Sequence, residues 1–178
     1  MTSTGETMQR VMIIGGPGAG KSTFARSLGE RTTLPVYHVD QIIWTSGWVL
    51  RDADDSARRT REIEAQEAWI FDGFLTVTWP TRAARADTLI WLDLPIGLRL
   101  WRVLKRLVQN YGHVRWDLVE GCPEQVSREF LGFVWWMWQA RQSHRAELQD
   151  LISAHPHLVV YHLQSRAAVA QFLKRTGP

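Results

Sequence analysis

The chain has 178 residues, 45% of them hydrophobic, and a formal net charge of +3, which fits one domain with a real core spanning residues 1–178 behind a flexible lead-in at residues 1–9. Cys122 is the single cysteine, so an internal disulfide framework is excluded, and no Cys or His spacing suggests a structural metal. The opening "MTSTGETMQR" is polar with no long apolar run behind it, so neither a secretory signal nor a membrane span is expected, and a reducing cytoplasm is the expected location.

From Arg10 onwards short apolar runs alternate with longer helical stretches. That rhythm predicts an α/β fold, a parallel sheet with helices on both faces. The first predicted strand, Val11 to Ile14, leads into "GGPGAGKST", and a predicted helix from Lys21 to Arg31 follows. Gly15, Gly20, Lys21 and Ser22 complete the pattern G-x-x-x-x-G-K-[ST] in its strand-to-helix context. Glycines let the backbone curl so that N–H groups converge on phosphate oxygens, and the helix N-terminus adds its positive end. Gly15, Pro17, Gly18, Ala19, Gly20, Lys21, Ser22 and Thr23 are therefore the expected nucleotide-binding residues. Lys21 would reach the β- and γ-phosphates, and Ser22 would offer its hydroxyl to Mg2+.

A second predicted strand, Val36 to Val39, ends at Asp40, on the sheet edge where open α/β folds bind ligands. A carboxylate there could orient a hydroxyl acceptor and take its proton. Trp44 and Trp48 follow, then a helix over about Asp54 to Glu67, so residues 40–67 are the expected acceptor-binding region. The third strand, Trp69 to Phe71, delivers Asp72 and Gly73. Asp72 is the expected second Mg2+ ligand, with Asp93, after the fourth strand Thr88 to Leu92, as its rival. Acceptor-side candidates are thus Asp40, Trp44, Trp48, Asp72 and Gly73, with Arg51, Arg82 and Arg85 available should the acceptor itself be a phosphate.

The next predicted helix, Gly97 to Val108, places Leu98, Trp101, Leu104 and Val108 on one face, with its arginines largely elsewhere. The stretch Gln109 to Gly121 has no clear period and is where a mobile insert would go, so residues 107–135 are the expected lid. A long helical pattern from Pro123 to Ile152, long enough to be broken, carries Arg141 and Arg145 four apart. Its Trp135, Trp136 and Trp138 read mainly as packing residues. A fifth strand, Leu158 to Leu163, and a helix, Ala167 to Arg175, complete the chain. Phosphoryl transfer needs positive charge near the equatorial oxygens, so Lys21, Asp40, Arg102, Arg106 and Arg141 form the expected catalytic set, with Arg115 and Arg128 as further positions.

The runs "MIIGGPGAGKST", "LPVYHVDQIIWTSGW", "WIFDGF", "RADTLIWLDLP", "LWRVLKR" and "GCPE" together resemble the small P-loop proteins related to adenylate kinase known as FlaR or DNA topology modulation proteins. The resemblance covers nearly the whole chain in order. It implies a three-layer P-loop kinase fold, a five-stranded parallel sheet ordered 2-3-1-4-5 with a helical arginine-bearing lid, and ATP- and Mg2+-dependent phosphoryl transfer to a small-molecule acceptor. Adenylate kinases continue Asp-Gly-Phe-Pro-Arg, whereas this chain reads Asp72-Gly73-Phe74-Leu75-Thr76, and Val77 stands where related small proteins carry an arginine. The family label offers a second class, a nucleic-acid-associated regulatory ATPase. The chain has no basic stripe, helix-turn-helix signature or RNA-binding aromatic motif to support it. The guanine signature Asn-Lys-x-Asp is also missing, so adenine is the expected base.

Overall fold

The computed structural model describes residues 8–73, 75–126, 128–139 and 141–176, without the side chains of residues 128, 129, 141 and 142. In chain order the elements are β1 (Arg10–Ile14), α1 (Lys21–Thr32), β2 (Val36–His38), α2 (Val39–Ile43), a hairpin of β3 (Trp44–Thr45) and β4 (Val49–Leu50), and α3 (Ala53–Glu64). There follow β5 (Trp69–Asp72), a 3-10 turn (Thr76–Thr78), α4 (Trp79–Arg85), β6 (Thr88–Leu92), α5 (Ile96–Gln109), α6 (Arg128–Gln139), α7 (Arg141–Ala154), β7 (Val159–Leu163) and α8 (Arg166–Arg175).

Five strands form one parallel sheet in the order β2-β5-β1-β6-β7. With the hairpin left aside, that is the expected 2-3-1-4-5. Because side chains alternate across a strand, β1 sends Val11 and Ile13 to one face and Met12 and Ile14 to the other. The first face packs on Phe24, Ala25 and Leu28 of α1 and on Phe172 of α8. The second packs on Val39 and Ile42 of α2, Trp79 and Ala83 of α4, and Leu148 and Leu151 of α7. Both faces are dry, so the central strands are apolar throughout rather than alternating. Among the described residues no helix is long and apolar enough to cross a membrane.

Local chemistry explains most element ends. Thr33, in a left-handed conformation at φ 59, closes α1 and donates its N–H to the Gly29 carbonyl. Asp52 caps α3 by accepting from the Asp54 and Asp55 amides, and the Ser165 hydroxyl oxygen accepts from the Ala168 amide at the head of α8.

Four expectations change. Val39 begins α2 instead of ending β2, because the chain turns as soon as it clears the sheet edge at His38. The long pattern from Pro123 is broken into α6 and α7, as its length allowed, but α6 starts only at Arg128. Pro123 and Glu124 are instead bridged to Val114 and Tyr111. The apolar face expected to bury α5 is its outer one: Trp101 and Val108 are 60% and 80% exposed, while Val103 and Leu107 are buried. Its arginine stripe turns inward, toward the loop after β1. Trp135, Trp136 and Trp138 are likewise exposed, and the buried residue of that stretch is Met137.

Candidate active site

The loop from Gly15 to Gly20 is tightly enclosed. Gly18 and Gly20 have φ of +75° and +92°, and a Cβ on Gly18 would stand 2.3 Å from the Arg99 carbonyl oxygen. Only glycine meets both demands. The loop is pinned to α5 through its own carbonyls. Arg99 Nε donates to Pro17 O at 3.1 Å and Arg102 Nη1 donates to Ala19 O at 3.0 Å. Arg99 was not anticipated, although it lies three residues before Arg102 on the same helical stripe, a spacing visible in the sequence.

Lys21 begins α1 and faces Asp72 and Asp40. Burial lowers its pKa, with Arg99 and Arg106 adding to the effect and the two carboxylates opposing it. Asp40 lies in the first turn of α2. Burial raises its pKa, Lys21 opposes the rise, and Asp72 and Asp117 reinforce it. This is a stability statement as well. Between its ordinary pKa and the raised native one, the native state keeps a proton that the unfolded chain has lost, so stability falls as pH rises through that window. Asp40→Asn is therefore expected to melt higher than the wild type at pH 7, with the difference vanishing below the ordinary carboxylate range. Equal melting temperatures in both media would mean that the carboxyl is not penalised by its surroundings.

Asp72, the last residue of β5, is 2% exposed and its Oδ1 lies 2.9 Å from His38 Nδ1. Burial alone would lower the His38 pKa, but the hydrogen bond and charge of Asp72 outweigh it and the net shift is upward. The rival Asp93 is engaged elsewhere, accepting from His162 Nε2 at 2.8 Å and from Arg145 Nη2. It therefore braces β7 and α7.

Residues 110–124, which overlap the mobile insert expected over Gln109 to Gly121, form a compact crossover seated on the site. Asp117 accepts a hydrogen bond from the Ser22 hydroxyl. Arg115 donates to both Asp117 oxygens, at 2.8 and 2.6 Å, and to Glu124 Oε1 at 2.8 Å. Arg106 Nε stands 2.9 Å from the same Glu124 oxygen, but its N–H is not aligned on an acceptor, so this is a contact of charges rather than a hydrogen bond. Trp116 lays its ring edge-on against His38, centroids 5.5 Å apart, with the Arg26 guanidinium 4.5 Å from its centroid. The β3–β4 hairpin holds the far end of the crossover: Trp48 Nε1 donates to Pro123 O at 2.9 Å, Gly47 N to Gly121 O at 2.9 Å, and Cys122 Sγ to Thr45 O at 3.2 Å.

The remaining candidates are placed as follows. Trp44 packs edge-on against Trp48, centroids 5.4 Å apart, inside the hairpin. Gly73, at φ +140°, passes Val39 so closely that a Cβ would meet the Val39 Cβ at 2.3 Å. Arg82 is fully buried over the Phe71 ring and donates to Leu75 O; burial pushes its pKa down to about 10. Arg85 donates to the carbonyls of Glu64 and Ala65 at the end of α3. The side chains of Arg141 and Arg128 lie outside the described residues.

The groups present suit a magnesium ion carried in on a nucleotide. Asp72 Oδ2 is buried without a hydrogen-bond partner, and Ser22 presents its hydroxyl at the head of α1. Among the described residues no group of three His, Cys, Asp or Glu could cage a metal unaided. Mg2+ characteristically relies on one or two protein ligands, phosphate oxygens and waters.

No protein-family model and no curated protein matches the chain. Solved structures do. A shikimate kinase from Aquifex aeolicus superposes with a TM-score of 0.53 at 14% identity, covering 93% of this chain and 92% of that one. A shikimate kinase from Bacteroides thetaiotaomicron gives 0.52 at 14% identity, covering 94% and 95%. At that identity the likeness is one of architecture, and the chain has the P-loop kinase fold.

Proposed function

We propose that this chain is an ATP- and Mg2+-dependent phosphotransferase of the adenylate-kinase-related FlaR type, acting in the cytoplasm on a small-molecule or nucleotide-like acceptor. The observation that carries this reading is the convergence of Lys21, Asp40 and Asp72 at the head of α1. Binding and hydrolysis ask for the lysine and a metal-side carboxylate; a further carboxylate with a raised pKa is what an alcohol acceptor requires. In this scheme the glycine loop and Lys21 hold the triphosphate, Ser22 and Asp72 hold Mg2+, and residues 40–67 and 107–135 serve as acceptor region and lid of a single domain. When bound there, the ion would supply charge neutralisation to the phosphates. The acceptor hydroxyl gives its proton to Asp40, its oxygen forms the new bond to the γ-phosphorus, and ADP leaves with the electrons of the broken bond. Arg102, Arg106 and Arg141 would balance the charge of the transferred group.

Arg82 and Arg85 already serve backbone carbonyls. That favours an acceptor hydroxyl without its own phosphate to be held, in keeping with Thr76 and Val77 where arginine would be sought. Asp40→Asn is expected to slow transfer by about 10²–10⁴-fold, read as acceptor-stimulated ADP release. The test of the whole reading is a panel of nucleosides, nucleotides, sugars and amino-alcohols supplied with ATP and Mg2+. One class should accelerate ADP release. If none does, and duplex DNA instead stimulates turnover in a salt-sensitive manner, the regulatory ATPase reading replaces this one.

A further inference from the structure

One member of a buried polar pair inside the site, His38, has no role in the scheme above. β2 and β5 are parallel neighbours whose register sets His38 opposite Asp72, so both side chains stand at the sheet's carboxyl edge. They are 8% and 2% exposed, and the 2.9 Å contact between His38 Nδ1 and Asp72 Oδ1 engages one oxygen of the carboxylate. The other, Oδ2, has no partner. A buried acceptor left bare is unfavourable unless something absent from the folded chain is meant to meet it. The imidazole is held where it is, engaging Oδ1: Trp116 abuts it edge-on, and Arg26 lies over Trp116. The next residue along, Asp117, accepts from Ser22, so two consecutive residues of the crossover touch His38 and Ser22.

We propose that His38 is a positioning residue for the metal: by holding Asp72 through Oδ1 it presents Oδ2 to the Mg2+ ion, or to a water of its shell, that arrives with the nucleotide. The inference rests on the phosphotransferase reading only in requiring that a magnesium nucleotide occupies the loop. Histidine–carboxylate pairs that orient a ligand from behind are a recurring device of metal sites, and their loss weakens metal binding by about 10–100-fold.

The test measures binding rather than turnover. A fluorescent ATP analogue carrying a methylanthraniloyl group is titrated onto wild type, His38→Ala and His38→Asn, first with chelator and then across a Mg2+ series, with thermal unfolding run in parallel. His38→Ala should need at least about 10-fold more Mg2+ for half-maximal tightening, while its metal-free affinity stays at the wild-type value. His38→Asn, whose amide nitrogen can stand close to the position of Nδ1, should recover most of the loss. Should His38→Ala not fold, His38→Gln takes its place, since its amide reaches toward the Nε2 position and cannot replace the Nδ1 contact. A wild-type Mg2+ requirement in His38→Ala, or in His38→Gln where that takes its place, overturns the proposal, as does an equal loss of metal-free and metal-supported binding. If the wild type itself shows no Mg2+-supported binding, the phosphotransferase reading falls together with it.

Discussion

Lys21→Ala is expected to remove acceptor-stimulated ADP release, with a fall of at least about 10²–10³-fold, or about 3–4 kcal/mol of transition-state stabilisation, while the far-ultraviolet circular dichroism stays that of the wild type. The size of the loss follows from the neighbours. Arg99 is bound to the Pro17 carbonyl, Arg102 to that of Ala19, and Arg106 stands against Glu124. These three neighbouring arginines are already engaged and poorly placed to take over from an ammonium that burial has made less easily charged. A variant that kept its acceptor response would show that the lysine is a fold element of α1 and that phosphate charge is met from the crossover.

Gly73→Ala should be strongly destabilising. Its φ of +140° is outside the range alanine occupies easily, and the new Cβ would stand 2.3 Å from that of Val39, whose side chain is buried. Strain of about 1–3 kcal/mol and overpacking of about 1–3 kcal/mol act together, so a fall of roughly 2–6 kcal/mol in urea-derived stability is expected. Relief by movement would displace Asp72 on one side or Asp40 on the other, so activity should fall further than stability explains. An unchanged urea midpoint would mean that α2 yields to the sheet without cost.

The sheet was readable because parallel strands buried on both faces are plain apolar runs, and the phosphate loop because its glycines are required by φ and by the closeness of α5. Asp40 and Asp72 could be named as strand-end carboxylates, and they do flank Lys21. His38 could not: its value lies in facing Asp72, and strand register depends on side chains distant in sequence. Arg99 was missed for a related reason. Helix α5 has both an apolar stripe and an arginine stripe, and periodicity alone would bury the apolar one. The carbonyls of Pro17 and Ala19 reverse that choice, since bare acceptors beside the loop are satisfied only if guanidinium groups turn inward. The contacts of residues 110–124 with the hairpin join positions about seventy-five apart in the chain, beyond the reach of any local pattern.

The hairpin's grip on the crossover also governs how substitutions there should combine. The contacts through Thr45, Gly47 and Trp48 end on three consecutive residues, Gly121 to Pro123. That makes them one fastening rather than three independent ones. Losing any one loosens the frame that the others need, so paired changes across this seam should be strongly non-additive. The hairpin and residues 110–124 would then travel as a unit rather than as two separately moving segments.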